Sequence, residues 1–403
     1  MNYILNTVPL LSDVEITNAK GIYYYEKSGK RFIDLESGIW CTSLGHSNRE
    51  LIKTISKQIA KLIHINKRVL PSYIDKVAER ILKIVGFEGK IFFLNTGSEA
   101  IEFAITLAGL INTNKSLITF VDNYVSAYGQ ATGIENKIDI WKCYKCDSSK
   151  CSLDCQVLKN KIAENATLIF DPFCFSRNVI EIPQKLINTL IAEVRAKNGI
   201  VILDEVTTGL GRTGKWFGFE HYNIQPDIVV LGKSLGNGYP VSSVLVSTKI
   251  ANEIENQKFS YYQSHQNDPL GCRVAERLVQ ILEKEKMIKR AAEQGAFFLE
   301  LLKKELRTSE YVVEIRGKGL MIAIELSNAH CAENIAKKLL NKGIIIGFSI
   351  KFNVLNIFPP FIITKKEITK IVQNLKECLD PTIELHERNI NNISYPYQYL
   401  HRI

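Results

Sequence analysis

Six short apolar runs constrain what this chain can fold into: Lys90-Ile-Phe-Phe-Leu94, Leu117 to Val121, Ala166 to Phe170, Ile200 to Leu203, Ile228 to Leu231 and Ser243 to Val246. Runs of that length, rich in Ile, Val, Leu and Phe, read as buried strands. Several are separated by stretches long enough for a helix. That alternation predicts an α/β class, with a large α/β/α domain built on a mostly parallel sheet. Beyond it, Ile315 to Glu325, Ala332 to Leu340, Ile344 to Ile346 and Lys366 to Leu379 alternate short strands and helices, which reads as a smaller α+β domain. A single long helical segment is expected from Pro269 to Leu301, and a hairpin from Gly21 to Leu35. Helical periodicity over Arg49 to Ile63 predicts a helix with Leu51, Ile52, Ile55, Ile59 and Leu62 as an apolar stripe.

Two of the runs end in polar groups. Ile200-Val-Ile-Leu203 leads into Asp204, and Asp227-Ile-Val-Val-Leu-Gly leads into Lys233. Residues at strand C-terminal ends of such sheets carry chemistry. Alone, a lysine here is usually a solvated surface group and an aspartate a turn or cap residue. Together they suit pyridoxal phosphate: a lysine condenses with an aldehyde, and a carboxylate keeps a pyridine nitrogen protonated so that the ring accepts electrons.

The stretch Leu203-Asp-Glu-Val-Thr-Thr-Gly-Leu-Gly-Arg-Thr-Gly214, followed by Pro226-Asp227, Gly232-Lys233 and Gly238-Tyr239-Pro240, resembles the class III (ornithine or ω-amino acid type) aminotransferases. The likeness runs from about Gly21 to Ile368. It implies the fold type I architecture of pyridoxal phosphate-dependent transferases and a homodimer with composite active sites. It also implies that residues 1–45 pack with a small domain of 301–403, beside a large cofactor-binding domain of 46–300. Lys233 and Asp204 become the catalytic pair. Asn95-Thr-Gly97-Ser98-Glu-Ala100 matches the family's phosphate-binding segment, where a glycine turn and a helix start offer amides to an anion. Read without the resemblance, the same residues are an ordinary helix cap at Ser98. Tyr124 takes the place of the ring that stacks on the pyridine, although Tyr124-Val-Ser126 lacks the usual His and Gly. Val206 would cover the opposite face. Ser264, in Ser264-His-Gln-Asn-Asp-Pro269, stands where relatives place a threonine that reaches the neighbouring subunit's phosphate; otherwise it is a polar loop residue.

The match breaks at the substrate end. Relatives carry Glu-Pro-x-x-Gly where this chain has Asp171-Pro-Phe-Cys-Phe175, and an arginine where it has Asn356-Ile-Phe-Pro-Pro-Phe361. That arginine clamps a carboxylate, and a neutral asparagine cannot form the same bidentate pair. Both changes point to an altered donor, unless the loops have merely diverged; Arg212 is another cation that could receive a carboxylate. Trp40 either lines a wide apolar substrate channel or packs in the core. A terminal-amine or bulky biosynthetic substrate is expected. An aminomutase, a racemase or epimerase, or a non-enzymatic protein on the same scaffold are the alternatives.

Composition bears on partners. The formal charge is +9, from 51 basic and 42 acidic residues. Lys53, Lys57, Lys61 and Lys67 have the spacing of a solvated helix face, and no nucleic-acid-binding signature accompanies them. No apolar run has membrane-spanning length, and the first residues lack the basic region of a secretory signal. A cytoplasmic protein that binds neither nucleic acid nor membrane is expected. Cys143, Cys146, Cys151 and Cys155 form a cramped cluster, read as reduced thiols or a structural metal site; no metal is assigned to the active site.

Overall fold

The computed structural model describes residues 5, 7 and 14–380, except 87, 113–115, 145, 147–150, 175–178 and 329–330. Phe175, and part of the cysteine loop, lie outside the described residues. A seven-stranded sheet runs in the order Gly89–Leu94, Ser242–Ser247, Ile228–Leu231, Ile200–Asp204, Thr167–Phe170, Leu117–Phe120, Asn136–Ile138. All six predicted runs are in it. Ser242–Ser247 is antiparallel to both its neighbours, and the remaining pairs are parallel. The edge strand Asn136–Ile138 escaped the sequence reading because three residues carry little periodicity. The central strands are buried along their whole length, as helices on both faces require.

The helix Gly97–Ile111 covers one face. Ile101, Ala104, Ile105 and Ala108 pack with Ile202, Val230 and Val244. On the other face Leu203, Val229 and Leu231 join the larger core with Leu270, Val274 and Leu278 of Pro269–Lys284. Asp268 starts that helix by accepting from Leu270 N and Gly271 N, with proline in the first turn, where its missing N–H does no harm. The single long helix expected here is two. Lys286 turns left-handed (φ 52°, ψ 39°), and a second helix runs Met287–Glu305. Neither glycine nor proline marks the break, so periodicity ran through it.

Two smaller sheets flank this body. Ile16–Lys20, Tyr23–Glu26 and Arg31–Asp34 form an antiparallel meander whose last strand pairs in parallel with Ile344–Ile345. Val312–Lys318, Met321–Leu326, Val354–Ile357 and Gly347–Ser349 form an antiparallel sheet. Helix Arg49–Lys61 forms as expected, capped by Asn48, and its apolar stripe lies only partly inward, with Leu51 and Ile55 packing on the core. Leu51 and Gln58 are buried, whereas Ile52 and Ile59 remain 51% and 47% exposed.

Candidate active site

Register brings the two polar strand ends together. Asp204 closes its strand opposite Val230, and Lys233 follows three residues beyond Val230 at the same sheet edge. Lys233 sits at φ 40°, a left-handed conformation that β-carbon-bearing residues seldom adopt, and this turns its side chain out of the strand direction. Its Nζ donates to Thr207 Oγ1 and lies 4.6 Å from the centre of the Trp40 ring. Burial lowers the Lys233 pKa to about 8, with Asp204 opposing the shift. Asp204 is itself buried. Burial pushes its carboxyl up to about 6, while the amide of Val206, at 2.9 Å, and Lys233 pull it back. Each group thus stands in an environment that disfavours its charge, apart from the other's presence. Glu205, the next residue, points elsewhere: it accepts from Thr208 Oγ1, Gly218 N and Phe219 N and holds the following loop.

Val206 packs between two glycines. A methyl group on Gly97 would lie 3.0 Å from Val206 Cγ1, and one on Gly232 3.2 Å from the same atom. The start of helix Gly97–Ile111, the end of the Asp204 strand and the backbone just before Lys233 therefore meet at one point. Thr96, not Ser98, is the helix cap, in a reciprocal capping box with Glu99. Ser98 is thereby released from capping, and its Oγ accepts from Ala127 N at 3.0 Å, tying the helix start to the loop that carries Tyr124. Tyr124 is 49% exposed.

The turn from Asp34 to Cys41 closes the other side. Asp34 holds it, accepting from Glu36 N, Gly38 N and His46 Nε2. Trp40 packs against Phe358 with ring centres 5.3 Å apart. Asp171 is buried beyond the strand Thr167–Phe170, accepts from Phe173 N at 3.1 Å, and helps hold up the Lys233 pKa. Arg212 is wholly buried and committed to the carbonyls of Leu320 and Pro359 and to Ser37 Oγ. It ties these segments together, with Nε left unpartnered among the described residues, rather than standing free for a substrate carboxylate as the sequence had left open.

The chain matches the family "Aminotransferase class-III" over residues 6–133 and 135–379. It belongs to the class III aminotransferases. Among curated members of the family, acetylornithine aminotransferase of Aquifex aeolicus is 31% identical over 394 residues, covering 94% of this chain and 100% of that protein. Acetylornithine aminotransferase of Bacillus subtilis is 28% identical, covering 91% and 95%. Ornithine aminotransferase from Plasmodium yoelii superposes with a TM-score of 0.79 at 26% identity over 94% of this chain and 96% of that one. The omega transaminase from Pseudomonas jessenii superposes with a TM-score of 0.84 at 24% identity over 95% and 97%. The aminotransferase thus has fold type I, as the sequence resemblance implied. It is a pyridoxal phosphate-dependent transaminase.

The site residues of this aminotransferase fit that cofactor. A buried carboxyl, an amine of lowered pKa and an amide-bearing helix start converge within one strand end of each other. Asp204, Lys233, Val206, Gly97, Trp40 and Asp171 are brought together. Ser264 lies exposed on the turn 264–267, and its neighbour Gln263 donates to Asn95 Oδ1 at 3.1 Å. Asn356 stands in the antiparallel sheet between Ala323 and Gly347. Thr207, Cys41 and Glu36 were missed. The only signal for Thr207 was its place directly after Val206, three residues past Asp204, and nothing local marked the other two. The cysteines at 143, 146, 151 and 155 are free thiols. Burial and the three neighbouring thiols push Cys143 up to about 11. No helix among the described residues is long and apolar enough to cross a membrane.

Proposed function

We propose that this transaminase takes its amino group from a terminal amine or a bulky apolar amine, with glutamate a poor donor, and passes it to a ketone or aldehyde. The observation that carries this reading is that the described residue at position 356, where relatives clamp a carboxylate with arginine, carries no charge. Asn356 is neutral, and Arg212 is bound into the protein by three acceptors. Trp40, backed by the buried Phe358, supplies an apolar wall instead.

When bound, pyridoxal phosphate supplies an aldehyde for amines to condense with and a protonated ring that accepts electrons. In this reading Asp204 holds the ring N–H, its raised pKa relieved once a cation faces it. Val206 and Tyr124 bracket the ring. Gly97, Ser98 and the helix start bind the phosphate, with Ser264 reaching the partner's site. Lys233, whose lowered pKa keeps a fraction of the amine unprotonated at physiological pH, removes the proton from the amine-bearing carbon and returns it one position away. Thr207 orients that amine by accepting from Nζ. Trp40 and Asp171 border the substrate.

The same reading makes the protein a homodimer. Ile52, Ile59, Ile63, Val69 and Leu70 are exposed along one stretch of chain, and Ser264 faces outward. It places the cleft between residues 46–300 and a unit formed by 1–45 with 301–403, supported by the pairing of Ile33 with Ile344, in a cytoplasmic protein. The test is a donor panel followed by release of pyridoxamine phosphate, comparing L-glutamate, L-alanine, L-lysine, pentylamine and pentane-1,5-diamine. Turnover with glutamate above every terminal amine overturns the donor assignment.

A further inference from the structure

The turn that delivers Trp40 to Lys233 also delivers Glu36 to the antiparallel sheet. Glu36 sits beside Gly347, where a methyl group would meet Glu36 Oε1 at 2.5 Å and Asn356 Cβ at 3.2 Å. Gly347 and Asn356 are register partners on neighbouring strands, so the carboxylate occupies the room that glycine leaves open next to Asn356. Glu36 is half-buried, and among the described residues its carboxylate accepts no hydrogen bond; only its backbone is engaged, the N–H donating to Asp34 and the carbonyl accepting from Trp40 N. Burial and the nearby Asp34 carboxylate push Glu36 up to about 7. The oxygens of Asp34 are taken by two amides and His46, and Arg212 is held by carbonyls elsewhere. A carboxylate only partly open to water and given no protein donor is poorly compensated, and a cation arriving beside it is correspondingly well bound.

The route from Glu36 to the reacting amine is apolar. Phe358 follows directly after the strand that carries Asn356. Phe358 packs on Trp40, and Lys233 Nζ stands over Trp40. An unbranched carbon chain passing the Trp40 ring, which Phe358 backs from the core, would run from Lys233 towards Glu36.

We infer that Glu36 is the specificity-determining acceptor for a second, cationic amine on the substrate, so that diamine-like donors are taken in preference to monoamines. This rests on the reading that the donor is a terminal amine. Asn356, being neutral, leaves Glu36 available where an arginine would have neutralised it.

Pentane-1,5-diamine and pentylamine share a reacting end and differ at the other, so the ratio of their kcat/KM values in the holoenzyme reads the far end alone. The wild-type ratio should favour the diamine. Glu36→Gln keeps the shape and removes the charge; it should lower the ratio about tenfold or more, chiefly through KM for the diamine. Gly347→Ala places a methyl group in the carboxylate's seat and should lower the ratio with Glu36 still present. A wild-type ratio near one, or an unchanged ratio in a Glu36→Gln enzyme that still uses pentylamine, overturns the inference alone. Glutamate outrunning both amines overturns the donor reading and this inference with it.

Discussion

Replacing Asp204 by asparagine should stabilise the cofactor-free protein at pH 8 while disabling the enzyme. In the folded chain burial raises the Asp204 carboxyl from its ordinary 3.8 to about 6. A folded pKa above the unfolded one means that the native state binds the proton more tightly. The wild-type protein is therefore penalised when Asp204 is ionised, fully above about pH 6, and the penalty fades as pH falls towards 3.8. At 1.36 kcal/mol per pK unit the full penalty is about 3 kcal/mol. Asparagine never ionises and can still accept from Val206 N. The variant should therefore gain up to about 3 kcal/mol at pH 8 and about half of that at pH 5, less whatever Lys233 loses with its anionic neighbour. Urea unfolding of both cofactor-free proteins at the two pH values measures this. The amine half-reaction of the reconstituted variant should fall by roughly 10²–10³-fold, as loss of about 3–4 kcal/mol of charge stabilisation implies. A variant no more stable than wild type at pH 8, or a gain that does not shrink at pH 5, would refute the reasoning.

Lys233→Ala should abolish turnover and covalent retention of cofactor after borohydride reduction, read by intact mass, with the circular dichroism spectrum unchanged; retained cofactor mass would place the reactive amine elsewhere. Asn356→Arg should raise the glutamate half-reaction relative to pentylamine in the same donor panel, and no change would remove position 356 from carboxylate recognition. Light scattering at assay concentration should report a dimer, and Ile59→Glu, on the exposed side of helix Arg49–Lys61, should shift it towards monomer; an active wild-type monomer would exclude composite sites.

The strand ends were legible because their chemistry is local. Asp204 and Lys233 each close an apolar run, and a parallel sheet leaves one edge for such residues to share. The substrate end was not. Glu36 and Asn356 are far apart in sequence, and they meet because a turn near the start folds against strands near the end. The stripe on Arg49–Lys61 left its cover undecided for a related reason: periodicity says that a face is apolar, not which molecule covers it. The break at Lys286 escaped because a left-handed lysine has no composition cue. Arg212 looked available in the sequence, and only its burial against Leu320 and Pro359 removes it from the substrate.

The parallel pairing of Arg31–Asp34 with Ile344–Ile345 bears on how the protein is made. The first of these strands leaves the ribosome some 300 residues before the second, an interval of roughly 15–60 s at 5–20 residues per second. Throughout that interval the early meander presents an open strand edge, the kind of surface that recruits other nascent chains. Premature termination anywhere before residue 344 would make the exposure permanent, so truncated products should be bound by chaperones or degraded rather than accumulate as partial enzymes.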